Sequence, residues 1–170
     1  MSAELVIRFA EPEDLATIGY LAQQIWPVTY KEILTEDQIR YMMELSYSPA
    51  SLQKQLLQQK HRFVLAELEE EPLGFASFSA QDSGVYKLHK IYVHPDSQGK
   101  GLGKALISFV ADQAKEEGGN SLQLNVNRYN KAKDFYQHYG FRILREEDID
   151  IGNNYFMNDY IMELPLETAD

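Results

Sequence analysis

Three glycines and two lysines lie close together in the segment QGKGLGKAL, between a predicted strand and a predicted helix. Glycine permits backbone conformations that a side chain would forbid, so successive N–H groups can converge on one concavity. The first turn of a helix adds unpaired N–H donors and about half a positive charge. With the lysine ammonium groups, this arrangement predicts a site for a phosphate or diphosphate. The candidate residues are Gln98, Gly99, Lys100, Gly101, Leu102, Gly103 and Lys104.

The glycine spacing differs from that of two common phosphate-binding loops. A loop of the ATPase kind needs Ser or Thr after its lysine, whereas Ala105 follows Lys104. A dinucleotide-binding turn needs the order G-x-G-x-x-G in an early strand-turn-helix unit, which Gly99, Gly101 and Gly103 do not fit. A flexible turn without a ligand would also explain the glycines, so that alternative stays open.

Hydrophobic periodicity predicts the elements that must hold this segment. The first third reads as a strand in ELVIRFA, a helix with Pro12 in its first turn that ends at Pro27, and one or two further helices. Thr35 and Ser48 are the predicted N-caps of those helices.

The rest of the chain alternates strands and helices. It reads as a hairpin that turns at Glu69 to Pro72, a third strand in VYKLHKIYVHP, and the glycine-led helix, which Gly118 and Gly119 end. The strand SLQLNVN, a short helix that ends at Gly140, and the strands FRILREE and DYIMELPL follow. This order predicts one domain over residues 1–170, of the α+β or mixed α/β class.

Composition limits the classes of function. Hydrophobic residues make up 44% and charged residues 25% of the 170, as in ordinary globular domains. A net charge of -10 disfavours nucleic acid as a partner, and neither a membrane span nor a signal peptide is visible. We therefore expect a cytoplasmic protein. The lack of cysteine excludes thiolate metal sites and an acyl-cysteine intermediate, and we expect no metal.

The glycine segment does fit the order Gln-x-x-Gly-x-Gly, and IYVHPDSQGKGLGKAL resembles the pyrophosphate-binding motif of GCN5-related N-acetyltransferases. The segment NKAKDFYQHYGF is similar to the next motif of that family, and the resemblance covers most of residues 5–165. It implies a central, mostly antiparallel twisted sheet flanked by helices, with one splayed strand pair. The last strands are similar to those of bacterial members that acetylate polyamines and small amines.

The resemblance implies an enzyme that binds acetyl-CoA and passes its acetyl group directly to a primary amine, on a small molecule or a protein. A non-catalytic acyl-CoA-binding regulatory module is the alternative. Tyr136 occupies the place of the family's leaving-group acid, and the tyrosine pKa of about 10 suits proton donation to a thiolate. Tyr129 and Tyr139 are rival candidates, and Tyr136 could instead be a core aromatic.

Further cofactor contacts are implied by the same resemblance. The strand end Ile91, Tyr92 and Val93 would lie along the pantetheine arm, and a backbone N–H near Val93 would stabilise charge on the thioester oxygen. Asn130 and Lys133 are weaker candidates, because Asn130 stands one residue closer to the following alanine than the family pattern has it.

His89 occupies the position where amine-acetylating relatives commonly carry a glutamate base. A histidine, with a usual pKa of about 6.5, could accept a proton from an ammonium, but it would anchor a cationic acceptor poorly. A purely structural histidine is the alternative interpretation.

The acceptor side is expected from the first helices and the last strands. Trp26, Tyr30 and Tyr155 could form an aromatic rim, with scattered carboxylates such as Asp159. Trp26 and Tyr30 could equally be core residues. Because the final strands are longer than a small core needs, a homodimer is a further expectation.

Overall fold

The structure is a computed structural model that describes residues 4–166. It contains seven strands and five α-helices in the predicted order, which confirms a mixed α/β fold. The elements are β1 (Leu5–Phe9), α1 (Leu15–Thr29), α2 (Glu36–Tyr47), α3 (Pro49–Leu57), β2 (Arg62–Leu68), β3 (Glu71–Ala80), β4 (Val85–Val93), α4 (Leu102–Glu116), β5 (Ser121–Asn127), α5 (Ala132–Tyr139), β6 (Arg142–Gly152) and β7 (Tyr155–Pro165).

The strands form one sheet in the order β1-β2-β3-β4-β5-β7-β6. Antiparallel pairing joins β1 to β2, β2 to β3, β5 to β7 and β7 to β6, whereas β4 and β5 are parallel. The β4–β5 pairing runs only from Val85↔Ser121 to Leu88↔Leu124, although both strands continue. Its early end confirms the expected splayed pair.

Most helix ends follow the sequence signals, but α1 departs from them at both ends. Pro12, predicted in its first turn, lies in a short 3₁₀ helix, Pro12–Asp14, and α1 begins after it at Leu15. The Thr35 hydroxyl accepts a hydrogen bond from the Gln38 N–H, and the Ser48 hydroxyl accepts one from the Ser51 N–H, so both predicted N-caps are confirmed. Pro27 does not end α1, which continues to Thr29. The proline removes one N–H, but the helix bond from Tyr30 N to the Trp26 carbonyl at 3.0 Å closes the last turn without it.

Two tight hairpins lack the glycine that such turns favour. Glu69 and Glu70 both have positive φ in the β2–β3 turn, as do Asn153 and Asn154 between β6 and β7. Asparagine tolerates this conformation better than most residues do. The second turn lets β6 and β7 run eleven residues each, longer than the two final strands predicted from the sequence.

The contacts divide the chain into two compact units. The first comprises residues 4–79 and Lys90–Val110, and its core contains Ile18, Ile25, Leu52, Phe63, Phe75 and Leu106. The second comprises Ala80–His89 and residues 111–166, and its core contains Leu122, Leu124, Tyr136, Phe141 and Met162. The single domain over 1–170 stays a prediction.

Among residues 4–166, no helix is both long and apolar enough to cross a bilayer.

Lys90 is a buried cation in the core of the first unit. Its side chain lies at a buried position of β4, its Nζ donates to Gln55 Oε1 at 2.7 Å, and the ammonium lies 5.3 Å from the centre of the Tyr47 ring. The Gln55 amide group in turn donates to the Ser46 carbonyl and the Ser51 hydroxyl. Burial lowers the pKa of Lys90 from 10.5 to about 8, because no charge opposes the loss of hydration.

We predict that Lys90→Met removes a pH dependence of stability. Between pH 8 and 10.5 the unfolded chain holds more protons at this site than the folded chain does, so the free energy of unfolding rises with pH. A pKa lowered to about 8 corresponds to roughly 3 kcal/mol of destabilisation at pH 7. Urea unfolding at pH 7 and pH 10 should therefore show a larger increase in the free energy of unfolding with pH for the wild type than for Lys90→Met. Lys115→Met, at an exposed position of α4, is the control and should parallel the wild type. Equal slopes for Lys90→Met and the wild type would contradict this account.

Candidate active site

The glycine-rich loop, residues 98–101, joins β4 to α4 in the first unit. Gly99 and Gly101 have φ of 80° and 82°, in the left-handed region that favours glycine. A Cβ built on either residue would meet no atom within 4 Å. Backbone conformation, and not crowding by the protein, therefore requires glycine here, and the space outside the loop is open to a ligand.

Helix α4 begins directly after this loop. The Gly101 carbonyl accepts the first helical bond, from Ala105 N at 3.0 Å, so the N–H groups of residues 102–104 precede the helical bonding pattern. Lys100 and Lys104 are exposed beside this turn, while Leu102 is 1% exposed and fixes the helix to the core. The loop can therefore present backbone donors and two ammonium groups to an anion.

Two details of the predicted loop differ in the structure. Gly103 lies inside α4, so it contributes a helical N–H and not an unusual backbone conformation. The side-chain amide of Gln98 donates to the Val93 carbonyl at 3.2 Å. Gln98 thus holds the loop against the end of β4, and its amide is already engaged within the protein.

The strand end expected beside the cofactor belongs to the same unit. Ile91, Tyr92 and Val93 are half-buried, and the Tyr92 hydroxyl is 2.8 Å from that of Tyr30. The predicted acceptor residues Trp26 and Tyr30 are each 4% exposed, and their ring centres are 4.4 Å apart. They are core residues, because each polar group has an internal partner: Trp26 Nε1 donates to the Tyr47 hydroxyl at 3.2 Å. This burial agrees with the alternative that both are core residues, and their place in an aromatic rim around the acceptor stays a prediction.

Tyr136 lies on α5, in the second unit. It is 7% exposed and packs edge to face with Phe141, with ring centres 5.8 Å apart. Gly140, with φ of 131°, ends the helix, and the N–H groups of Gly140 and Phe141 both bond to the Tyr136 carbonyl. The tyrosine ring is thus held by both its packing and the helix end.

The rival tyrosines differ from Tyr136 in exposure. Tyr129 is 68% exposed, and Tyr139 is half-buried against Phe141. The Asn130 side-chain oxygen accepts from the Ala132 N–H at 2.9 Å, so it serves the start of α5. Lys133 lies 5.6 Å from the centre of the Tyr160 ring and 3.7 Å from an Asp134 oxygen.

The other two predicted residues of the second unit lie on strands β4 and β7. His89 is half-buried and is the first β4 residue after the last β4–β5 pair. Tyr155, also half-buried, is the first residue of β7.

Sequence reasoning missed Lys90. In the sequence, Tyr86 and Leu88 alternate with Lys87 and His89, and continuing this period of two places Lys90 at an inward position of β4, where the structure has it.

The sequence matches a family model described as an acetyltransferase (GNAT) domain, over residues 30–157. The chain therefore belongs to the GNAT family, and it is an N-acetyltransferase. Both the family and the enzyme class predicted from the sequence are confirmed.

Individual relatives agree over nearly the whole chain. It is 28% identical over 151 residues, 86% of each chain, to an uncharacterised N-acetyltransferase of Bacillus subtilis. It is 27% identical over 167 residues to spermidine N(1)-acetyltransferase of Thermoplasma acidophilum, covering 95% of this chain and 98% of the relative. Among solved structures, it is similar to PaiA N-acetyltransferase from Thermoplasma acidophilum in complex with coenzyme A, with a TM-score of 0.81 and 26% identity over 95% of this chain and 99% of that one.

We predict that Gly101→Ala lowers the free energy of unfolding by about 1–2 kcal/mol, because an L side chain is strained at this positive φ. Urea unfolding measures the change. Gly19→Ala is the control: Gly19 lies inside α1, where a Cβ would make ordinary contacts at 3.5 Å and 3.6 Å, so alanine should stabilise by up to about 1 kcal/mol. A Gly101→Ala variant as stable as the wild type would show that the loop can change its backbone conformation.

Proposed function

We propose that this N-acetyltransferase takes its acetyl group from acetyl-CoA and transfers it directly to a primary amine. The observation that carries the proposal is the loop at Gly99 and Gly101, whose positive φ angles leave open space at the start of α4. Its donors and cations suit a diphosphate, the group that distinguishes a coenzyme A thioester from a simple one. The coenzyme A bound by the solved relative supports the same donor.

The proposed donor contacts lie in the first unit. The N–H groups of Leu102, Gly103 and Lys104 would hold diphosphate oxygens, and the Lys100 and Lys104 ammonium groups would neutralise their charge. Ile91, Tyr92 and Val93 would lie beside the pantetheine arm, with a backbone N–H near Val93 directed at the thioester oxygen. When bound, acetyl-CoA supplies the activated acyl group.

The proposed proton transfers involve residues of the second unit. The Tyr136 hydroxyl would donate its proton to the departing sulfur, and the packing of its ring against Phe141 would hold it in place. His89 would accept a proton from the amine. The amine nitrogen forms the new bond to the acyl carbon as the carbon–sulfur bond breaks, and free thiol is the second product.

Isothermal titration tests the donor site. We expect acetyl-CoA to bind with micromolar affinity and pantetheine, which lacks the diphosphate, to bind at least tenfold more weakly. Lys104→Gln should weaken acetyl-CoA binding several-fold, whereas Lys115→Gln, further along α4, should leave it unchanged. Equal affinity for the two ligands would remove the diphosphate role of the loop.

Kinetics test the acid. Tyr136→Phe should lower kcat by about 100-fold, the range in which general acids contribute, and should leave the Kd of acetyl-CoA unchanged. Free-thiol release in the presence of an amine is the readout. Tyr139→Phe is the companion variant, since a loss confined to it would transfer the role to Tyr139.

The homodimer is a separate proposal. Its support is β6, the edge strand of the sheet, which exposes Ile143 and Leu144. Size-exclusion chromatography with light scattering should then give twice 19.6 kDa, and a species of 19.6 kDa alone would rule the dimer out.

A further inference from the structure

Asp159 is a buried carboxylate whose two oxygens differ in their hydrogen bonding. The residue is 5% exposed, and its Oδ1 has no hydrogen-bond partner within the described chain. Its Oδ2 accepts one long bond, from Asn125 Nδ2 at 3.4 Å. An unsatisfied buried acceptor costs roughly 1–3 kcal/mol, and more when it is charged, so such a group calls for an explanation.

The surroundings of Asp159 are polar where a sheet interior is usually apolar. Asp159 stands directly opposite Asn127 in the β5–β7 pairing, so the two side chains share a face, as does that of Asn125 two residues earlier on β5. Asn125 and Asn127 lie on β5 beyond Leu124, where the pairing of β5 with β4 has ended. A carboxylate and two amides therefore lie together at the free part of the strand.

Neighbouring charges influence Asp159 without forming an ion pair with it. Burial raises the pKa of Asp159, and the positive charges of Lys87 and Arg128 oppose that rise. The Arg128 guanidinium already contacts Asp148 at 2.7 Å and Glu146 at 3.7 Å. Glu147, opposite Asp159 on β6, is paired with Arg145 at 2.7 Å. The cation that Asp159 lacks is thus not supplied by this part of the chain.

We propose that Oδ1 of Asp159 binds a cationic group of the acceptor, which makes the acceptor a diamine, a polyamine or another amine that carries a second positive charge. The inference rests on the proposed function. The nitrogen that attacks an acyl carbon must be neutral, so the charge held by Asp159 belongs to another group of the same molecule. Asn125 would offer its side-chain carbonyl oxygen to the same ammonium, which has three N–H donors. The side-chain oxygen of Asn127 already accepts from the Tyr129 N–H at 3.0 Å, so Asn127 would only help to shape the site.

This role accounts for the departure at His89. A carboxylate expected on β4 is replaced by histidine, and a carboxylate appears instead on β7, on the face shared with Asn125 and Asn127. Asp159 would thus hold the cation, while His89 would accept the proton from the reacting nitrogen. The ion pair forms without making or breaking a covalent bond.

Spermidine and hexylamine are the matched probes, because both carry a primary amine on a flexible chain and only spermidine carries further ammonium groups. The wild type should acetylate spermidine with a kcat/KM at least tenfold above that for hexylamine. Asp159→Asn, a neutral substitution of equal size, should raise the KM for spermidine 10- to 100-fold and leave the KM for hexylamine and acetyl-CoA unchanged, as expected for one charge-assisted contact. Glu147→Gln, the carboxylate opposite Asp159, is the control and should leave the KM for spermidine unchanged.

A thermal-shift titration separates this inference from the proposed function. Spermidine alone, without acetyl-CoA, should raise the Tm of the wild type and of Glu147→Gln but not that of Asp159→Asn. If neither amine is acetylated, the proposed function fails, and the thermal shift still decides the role of Asp159. A spermidine-induced shift that persists in Asp159→Asn overturns the inference. Should Asp159→Asn not fold, equal wild-type kcat/KM for spermidine and hexylamine overturns it as well.

Discussion

The early end of β4–β5 pairing is the constraint on which the candidate site depends. Parallel pairing stops at Leu88↔Leu124, yet β5 continues to Asn127 and keeps its full pairing with β7. Backbone groups along the freed stretch need another partner, because an unpaired buried N–H or carbonyl costs about as much as a lost hydrogen bond. Two of the three residues in this stretch, Asn125 and Asn127, are asparagines, whose polar side chains suit a strand edge that is not covered by another strand.

Local signals predicted most of the fold. The hydroxyls of Thr35 and Ser48 cap helices because an N-cap bond spans only three residues and depends on no distant contact. Gly140 ends α5 for a similarly local reason. The prediction that α1 ends at Pro27 was wrong, because propensity counts the cost of proline in a helix but not the tertiary burial of a neighbour such as Trp26, which can offset that cost.

The site was predictable only in part. The positive φ at Gly99 and Gly101 follows from residue type, since few other residues adopt it. The engagement of Gln98 with the Val93 carbonyl could not be predicted, because a free and a bonded amide look the same in sequence. The splay came from family resemblance alone, since strand registers between β4 and β5 have no code in the residues.

Lys90 and Asp159 are both buried charged residues, but they differ in the partners that the protein provides for them. Each occupies an inward position of an alternating strand, and burial disfavours the charged form of both. The Lys90 ammonium has a buried amide oxygen at 2.7 Å and an aromatic face, which are the partners a permanently enclosed cation requires. Within residues 4–166, one Asp159 oxygen has no such partner.

The presence or absence of internal partners distinguishes a buried charge that serves the fold, a structural charge, from one that serves to bind a ligand, a binding charge. A structural charge has its hydrogen-bond and aromatic partners within the fold, because they must be present whenever the protein is folded, although burial without an opposite charge still lowers the pKa of Lys90. A binding charge has to be left incompletely compensated, since any internal partner would compete with the ligand for the same oxygen. In the role proposed for Asp159, binding of the acceptor's cation would recover the free energy that the unsatisfied oxygen costs the folded protein, and this one oxygen would favour charged over neutral amines.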